Sequence, residues 1–208
     1  MYDERVSYRP EVSMAERKRR LVSDELTESA LQLLALKGFD AVTIDEIVTT
    51  AGVSRRTFFR YFASKEDVVV QFLADMGTGM RADLAERPAD ERPSVALLHA
   101  VRVPLATCAA HSDRALRVVQ LILRTPALLA RFLERQAQWR GDLTQELAGR
   151  LGLDPARELY PRLAAGMALT AFDAVLQRWS DSDGAEDPSA LLDEAFAVIG
   201  PALDGVEG

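Results

Sequence analysis

The sequence predicts an all-α protein, with a three-helix helix-turn-helix unit at the N-terminus and a helical bundle behind it. Apolar residues recur at helical spacing through most of the 208-residue chain, and no run of alternating β-branched residues suggests a sheet. A hydrophobic content of 48% is ample for a buried core. We divide the chain into a flexible arm (residues 1–14), a helix-turn-helix domain (15–65) and a C-terminal helical domain (66–208).

The first predicted helix runs from Ala15 to Lys37 and ends at Gly38. One apolar face of this helix should support the helices that follow. It consists of Val22, Leu26, Ala30, Leu33 and Leu34. The residues before the helix are polar, include Pro10 and lack periodicity, so we expect a loose arm.

Residues 43–61 have the pattern of two short helices joined by a tight turn. Thr43 and Glu46 stand at capping-box spacing, so a helix should begin at the residue after Thr43. Gly52 supplies the backbone freedom that a sharp turn needs, and Ser54 can cap the second helix. Two short helices joined in this way form a helix-turn-helix.

The second short helix turns several basic and aromatic residues outwards, which is the chemistry of a major-groove reader. The outward residues are Arg55, Arg56, Thr57, Phe59 and Arg60. From Val22 to Phe72 the chain resembles the tetracycline-repressor (TetR) family of bacterial transcription regulators. The most specific stretch is AVTIDEIVTTAGVSRRTFFRYFASKEDVV. The resemblance implies a DNA-binding domain whose second short helix enters the major groove.

The distribution of charge fits this domain division. The whole chain carries a net charge of −7, but residues 1–65 hold eleven Lys and Arg against ten Asp and Glu. The acidic excess therefore belongs to the C-terminal domain, and the cations that phosphate would attract cluster in the N-terminal one.

We expect DNA contacts from the recognition helix and from residues around it. Arginine can fork onto guanine or bridge phosphates, and hydroxyls at helix starts can bind phosphate. A solvated helix face is the alternative reading, above all for the basic run that contains Arg17 and Lys18. Phe59 stands where the family often has tyrosine, so only a contact with a thymine methyl remains there. The candidate residues are Arg17, Lys18, Thr43, Ser54, Arg55, Arg56, Thr57, Phe59, Arg60, Tyr61 and Lys65.

A further helix should start after Ser64 and join the two domains. Gly77-Thr78-Gly79 interrupts it and marks a hinge or, as we prefer, the end of the helix. Residues 87–93 form the best candidate loop. Beyond it we expect about five helices, one with a kink at Pro104 and the last with a break at Gly200-Pro201. Three of them should start at Thr125-Pro126, Asp154-Pro155 and Asp187-Pro188, the second of these helices starting as late as Pro161.

Between Leu121 and Trp179 the chain resembles, more loosely, the TetR branch whose regulatory domain is described as binding acyl-CoA-like ligands. An acyl thioester needs an apolar tunnel and cations for its phosphates. The candidate residues are Leu121, Arg124, Leu128, Phe132, Leu133, Arg135, Trp139, Arg140, Met167 and Phe172, with Arg131 as a further cation. Each apolar residue of this set also fits an ordinary bundle core.

One helix of the second half is unusually small-sided, which allows another helix to approach closely. Its small residues are Ala164, Ala165, Gly166, Ala168, Ala171 and Ala174. Tight packing within the chain is one reading. The family resemblance implies the other, a homodimer in which the last two long helices pair with their copies.

Other classes of site find little support in the sequence. His99, Cys108 and His111 lack the spacing of metal ligands, so we expect no metal, and we expect no cofactor. No catalytic motif occurs, so we expect no enzyme activity. The single cysteine cannot form an internal disulfide, and neither a signal peptide nor a membrane span is visible, so we expect a cytoplasmic protein that does not enter a membrane.

Taken together, these features predict a ligand-responsive transcriptional repressor. It would bind a palindromic double-stranded operator as a homodimer and would be released by a small molecule, an acyl-CoA or a related hydrophobic ligand. The alternative is a protein that binds or sequesters lipid metabolites and has only weak, non-specific affinity for DNA.

Overall fold

The computed structural model of the chain describes residues 13–109 and 112–205, so most of the predicted arm lies outside it. Within those ranges the chain forms nine α-helices and no strand, which confirms the all-α prediction. The helices are α1 (Met14–Lys37), α2 (Ile44–Thr50), α3 (Arg55–Tyr61), α4 (Lys65–Glu86), α5 (Pro93–Ala109), α6 (Ser112–Arg124), α7 (Pro126–Leu151), α8 (Leu159–Asp181) and α9 (Pro188–Asp204).

Helices α1, α2 and α3 form the N-terminal unit, and local hydrogen bonds define where the two short helices begin. The capping box predicted at α2 is present, since the amide of Glu46 donates to the hydroxyl of Thr43 (3.2 Å) and the amide of Thr43 donates back to the Glu46 carboxylate (2.9 Å). Ser54 caps α3 with a single hydrogen bond, since its hydroxyl accepts from the amide of Thr57 (3.1 Å). Gly52 has the positive φ of 64° that the turn requires.

Helix α4 runs unbroken through Gly77 and Gly79, so our preferred reading of a helix end there is wrong. Gly77 is buried against the indole of Trp139 in α7, and a Cβ at this position would lie 2.2 Å from the indole Cδ1 and Nε1 atoms. Glycine costs an exposed helix interior about 1 kcal/mol relative to alanine. Here it allows α4 and α7 to pack closely.

Two other expected boundaries are also wrong. The break at Gly200-Pro201 is absent, because α9 continues to Asp204, whose carboxylate accepts hydrogen bonds from the amide (2.9 Å) and hydroxyl (2.7 Å) of Ser94. Asp154-Pro155 does not start a helix, because the Asp154 carboxylate accepts a hydrogen bond from the amide of Ala156 (2.9 Å) and forms a turn.

The remaining starts follow the sequence more closely. Helix α8 begins at Leu159, just before the latest start we considered, Pro161. Asp187 caps α9 by accepting from two amides, while Thr125 at the start of α7 makes no side-chain cap. Helix α5 contains Pro104, the residue at which a kink was predicted.

A single apolar core runs from the N-terminal unit into the bundle. Helix α4 packs on α5 and α7, α8 packs on α7 and α9, and α1 packs on both α4 and α6. The division at residue 65 stays a prediction, since α4 begins there and contacts both halves. Helices α1 and α4 are therefore physical links between the helix-turn-helix and the bundle.

Candidate functional site

Helix α3 presents its polar side to solvent and its apolar side to the core. Phe58 is completely buried and its ring lies 5.6 Å from that of Phe62, so the orientation of α3 is fixed from inside. Arg55, Arg56 and Arg60 are all exposed. Arg56 and Arg60 lie on the side of the helix opposite Phe58, whereas Arg55, three residues before Phe58, lies closer to its side. The structure thus brings the predicted recognition residues together on one exposed face.

The three arginines of α3 differ in their surroundings. The guanidinium of Arg55 lies 3.3 Å from both carboxylate oxygens of Asp45, and that of Arg60 lies 5.0 Å from the ring centroid of Tyr61 and donates to its hydroxyl (3.2 Å). Arg56 has no hydrogen-bond or ion-pair partner among the described residues. It is consequently the arginine of α3 whose five donors are all available to DNA.

Several other predicted contacts also hold the domain together. Ser54 and Thr57 share a hydrogen bond between their hydroxyls (2.9 Å), and Phe59, which is 49% exposed, packs its ring edge-on to Phe58. Lys65 is half-buried and donates to the carbonyl oxygens of Phe39 (2.6 Å) and Val42 (3.1 Å). At most one donor of this ammonium group is left for a phosphate.

The start of α2 carries a strongly perturbed carboxylate. Glu46 accepts a hydrogen bond from the ammonium of Lys37 (2.6 Å) and two from Thr43. These bonds, that from Lys37 first, lower the pKa of Glu46 to about 2. Thr43 therefore has its hydroxyl engaged in the cap, while Arg17 and Lys18 are exposed in the first turns of α1.

A cavity of about 400 Å³ lies inside the bundle, between α1, α4, α5, α6, α7 and α8. Its inner wall is apolar and aromatic. That wall includes Phe72, Met76, Val119, Ile122, Phe132 and Phe172. The charged residues among the described lining are Glu28 of α1, Asp75 of α4 and Arg114 of α6. A cavity of this size and character suits a mainly apolar ligand, or the apolar part of a larger one.

Two of the predicted ligand-binding residues, Phe132 and Phe172, line this cavity. Trp139 lies behind them, with its ring 5.8 Å from that of Phe132 and 6.4 Å from that of Phe172. Leu128 is buried and Leu121 is half-buried in the core, and neither is part of the cavity wall. For these two residues the ordinary core reading fits the structure.

The predicted cations lie elsewhere. Arg124 donates to the carbonyl oxygen of Ser180 (3.3 Å), and Arg135 donates to the side-chain oxygen of Gln138 (2.7 Å). Leu133 is 53% exposed, because the residue after Phe132 in a helix points roughly 100° away from it. These three do not line the cavity, which corrects the pocket drawn from the sequence.

Arg114 is the cation that the structure does place at the cavity, and sequence reasoning missed it. One nitrogen of its guanidinium bonds to the Glu28 carboxylate, and another donates to the Glu28 carbonyl oxygen (3.2 Å). The signal was present in the helical spacing of Arg114, Val118 and Ile122, which puts a cation at one end of an apolar stripe on α6. The prediction of the pocket rested on the resemblance of residues 121–179, and Arg114 lies outside that range.

Arg140 and Met167 line a different, outward-facing depression between α8 and α9. Leu159, Leu163 and Val198 are exposed on the same face. Of the small residues of α8, four are buried within the chain. These are Ala164, Ala165, Ala168 and Ala171. Close packing inside the chain thus accounts for part of the small-residue pattern, and an exposed apolar face remains beside it.

The sequence predicted neither a metal site nor a membrane span. His99 is exposed on α5, whereas His111 and the side chain of Cys108 lie outside the described part of the chain. Among the residues whose side chains the structure describes, no group of three His, Cys, Asp or Glu is placed to hold a metal ion. Within residues 13–109 and 112–205 no helix is both long and apolar enough to span a membrane.

Comparisons with known proteins agree with this architecture. Residues 26–72 match the family described as "Bacterial regulatory proteins, tetR family", and residues 91–204 match the "MftR C-terminal domain". The chain is 32% identical to the HTH-type transcriptional regulator TcmR of Streptomyces glaucescens over 199 residues, which cover 91% of this chain and 88% of TcmR.

Solved structures show the same fold at lower identity. The transcriptional regulator FadR from Bacillus subtilis, in complex with stearoyl-CoA, aligns with a TM-score of 0.63 and 21% identity over 88% of this chain and 99% of FadR. The fatty acid degradation regulator FadR from Bacillus halodurans aligns with a TM-score of 0.63 and 23% identity over 89% of this chain and 96% of its own.

Proposed function

The chain belongs to the TetR family of bacterial DNA-binding transcriptional regulators, and from that premise we propose that it is a homodimeric repressor released from a palindromic operator by an apolar effector. The observation that carries the DNA-binding part is the exposed arginine face of α3 over the buried Phe58. Such a regulator would work in the cytoplasm, where the DNA is.

The exposed apolar face of α8 and α9 supports the dimer. Leu159, Leu163 and Val198 would be covered by the same residues of a second copy across a two-fold axis. A dimer would present two α3 helices, and a spacing of about 34 Å between them would match successive major grooves on one side of the duplex.

The cavity of about 400 Å³ supports the effector part. We propose an acyl-CoA or a related hydrophobic compound as the effector, because the cavity wall is apolar. The Bacillus subtilis FadR, which has a similar fold, was solved in complex with stearoyl-CoA. The effector must bind the DNA-released state more tightly than the DNA-bound one. Helices α1 and α4 both line the cavity and both reach the helix-turn-helix, so they can transmit that difference.

The test begins with selection of operator DNA from a random library by the full-length protein. Binding of the selected palindrome, of scrambled DNA and of both at rising salt is then followed by fluorescence anisotropy. A repressor should prefer the palindrome by roughly 4 kcal/mol or more. If palindrome and scrambled DNA bind alike, with only a shallow salt-dependent affinity, a lipid-binding or sequestering protein is the better description.

The effector part is tested by thermal unfolding with palmitoyl-CoA, palmitate and CoA alone. A ligand at 100 times its Kd stabilises the folded state by about 2.7 kcal/mol. A shift with palmitoyl-CoA or palmitate, followed by release of the palindrome with the same compound, would support the proposal. Release by none of them would remove acyl compounds from it.

A further inference from the structure

We propose that the effector carries an anionic head group that binds Arg114, and that this group takes Arg114 away from Glu28 and so weakens the link between α6 and α1. The inference rests on the proposed function, because it names the ligand chemistry and the coupling of the same cavity. It goes beyond that function by assigning Arg114 to recognition of the ligand and the Arg114–Glu28 pair to the coupling.

The position of the Arg114–Glu28 ion pair indicates where the head group of a ligand would lie. The side chain of Arg114 is 27% exposed and that of Glu28 is 59% exposed, whereas Val119, Ile122 and Phe172 behind them are buried. The pair therefore lies where the cavity meets solvent. Arg114, Val118 and Ile122 follow one another at four-residue spacing, which spans about 12 Å along α6. A ligand with an apolar body against Ile122 would have its head group at Arg114.

The charge of the head group follows from which side chain faces the cavity. Among the described lining residues Arg114 is the cation, and it is the less exposed member of its pair. Asp75 is exposed and accepts a hydrogen bond from Gln71 (2.9 Å). An anion is therefore the group that the inner side of the mouth would receive. Carboxylate and phosphate both match the planar fork of arginine, so an acid or a CoA phosphate could supply it.

The bonds from Arg114 to α1 explain how ligand binding would be coupled to the DNA-binding unit. It bonds to both the carboxylate and the carbonyl oxygen of Glu28, which lies in the middle of α1. Helix α1 also contributes the buried Leu31 and Leu34 to the core that supports the helix-turn-helix. An anion that competes for Arg114 thus acts directly on α1, which links the cavity to the DNA-binding unit.

The first experiment measures ligand binding alone, by isothermal titration calorimetry on the full-length protein. The probes are dodecanoate, 1-dodecanol, dodecylamine and lauroyl-CoA, each below its critical micelle concentration. We expect an anionic probe to bind at least about tenfold more tightly than the alcohol. Dependence on Arg114 for dodecanoate identifies a carboxylate head group, and dependence for lauroyl-CoA alone identifies a phosphate. Equal binding of the alcohol, preference for the amine, or binding of no probe would overturn the inference.

The variants separate ligand recognition from loss of structure. Arg114→Met should abolish the preference for the anion, and Arg114→Lys should restore part of it. Glu28→Gln removes the competing carboxylate, so it should raise anion affinity. Both Arg114→Met and Glu28→Gln break the ion pair, so a merely structural pair would shift anion affinity in the same direction in both. The control is Arg117→Met, an exposed position on the same helix, which should match the wild type.

The second experiment measures operator affinity of the same variants without ligand. Glu28→Gln and Arg114→Met should each weaken binding of the selected palindrome about fivefold or more, while Arg117→Met should not. Unchanged affinity in both would overturn the coupling. If no palindrome can be selected, the proposed function fails and the coupling falls with it, while the calorimetry still decides the head group.

Discussion

Helix starts in the helix-turn-helix are capped by residues three positions away, whereas several helix ends in the bundle are held by residues 43 to 110 positions away. Thr43 and Ser54 bond within their own first turn. In the bundle, Asp204 of α9 holds the start of α5, and Arg150 of α7 donates to the carbonyl oxygens of Leu84, Arg87 and Pro88 at the end of α4.

The two regions therefore depend on different contacts for their shape. Short-range caps define α2 and α3 from adjacent sequence alone, so the recognition surface depends on few distant contacts. The cavity exists only because six helices meet around it, and its size depends on how their ends are tied. The region that would read DNA is specified locally, and the region that would receive the effector is specified by tertiary packing.

The largest expected effect comes from the one fully buried side chain of α3. Phe58→Ala should lower the free energy of unfolding by about 3–5 kcal/mol, because it removes a ring from the core and leaves a cavity. Chemical denaturation followed by circular dichroism measures the change. The control is Phe59→Ala at the exposed neighbour, which should cost well under half as much. Similar costs at the two positions would contradict the orientation of α3.

A larger residue at Gly77 should disrupt the close approach of α4 and α7. Gly77→Ala should destabilise the protein by about 2 kcal/mol, because the added methyl would collide with the indole of Trp139. The matched control is Gly149→Ala in α7, where a Cβ meets nothing within 4 Å and alanine should stabilise the helix by up to about 1 kcal/mol. Thermal unfolding of both variants gives the two signs. A stabilised Gly77→Ala would contradict the close approach of Gly77 to the indole of Trp139.

Sequence-based prediction failed where the role of a residue depends on a distant contact, and it succeeded where the contact is local. Gly77 looks like a helix breaker in isolation, and only the position of Trp139, 62 residues further on, reveals a packing role. Likewise, Pro201 predicts a break unless the bond from Ser94 to Asp204 is known. By contrast, the Thr43 and Ser54 caps were predicted correctly, because every partner lies within three residues.

Dependence on distant contacts also explains which parts of the candidate sites could be predicted from the sequence. Arg55, Arg56 and Arg60 could be placed on one face from helical spacing alone. The cavity could be placed only in part, since Phe132 was anticipated but the walls from α1, α4 and α6 were not. Helical spacing alone put Arg114 at one end of an apolar stripe, but assigning that stripe to the cavity required knowing which helices surround it.

Arg56→Ala should separate DNA binding from stability. Because Arg56 has no partner within the described residues, its loss should cost about 1–3 kcal/mol of operator affinity while the free energy of unfolding changes by less than about 0.5 kcal/mol. Anisotropy with the selected palindrome and denaturation of the same sample give both values. Unaltered affinity, or a large loss of stability, would exclude the role assigned to this arginine.

A smaller effect is expected where Arg150 ties the end of α4. Arg150→Met keeps the apolar stem but removes three hydrogen bonds to carbonyl oxygens, so it should cost about 1–2 kcal/mol of stability. Amide hydrogen exchange should show faster opening at the end of α4 and no change in α2. Equal acceleration in both helices would contradict the separation between local and distant capping.

The smallest effect concerns the pH dependence of the α2 cap. Bonds from Lys37 and Thr43 depress the pKa of Glu46 to about 2, below its ordinary value of 4.5. A depressed pKa stabilises the folded state above the unfolded value, and this contribution is lost as the pH falls from about 4.5 through about 2. Glu46→Gln keeps a group that can accept the cap hydrogen bond but does not titrate. The difference in thermal midpoint between wild type and Glu46→Gln should therefore shrink over that window. A constant difference would show that the carboxylate charge plays no part in holding α2, and that the local cap works through hydrogen-bond geometry alone.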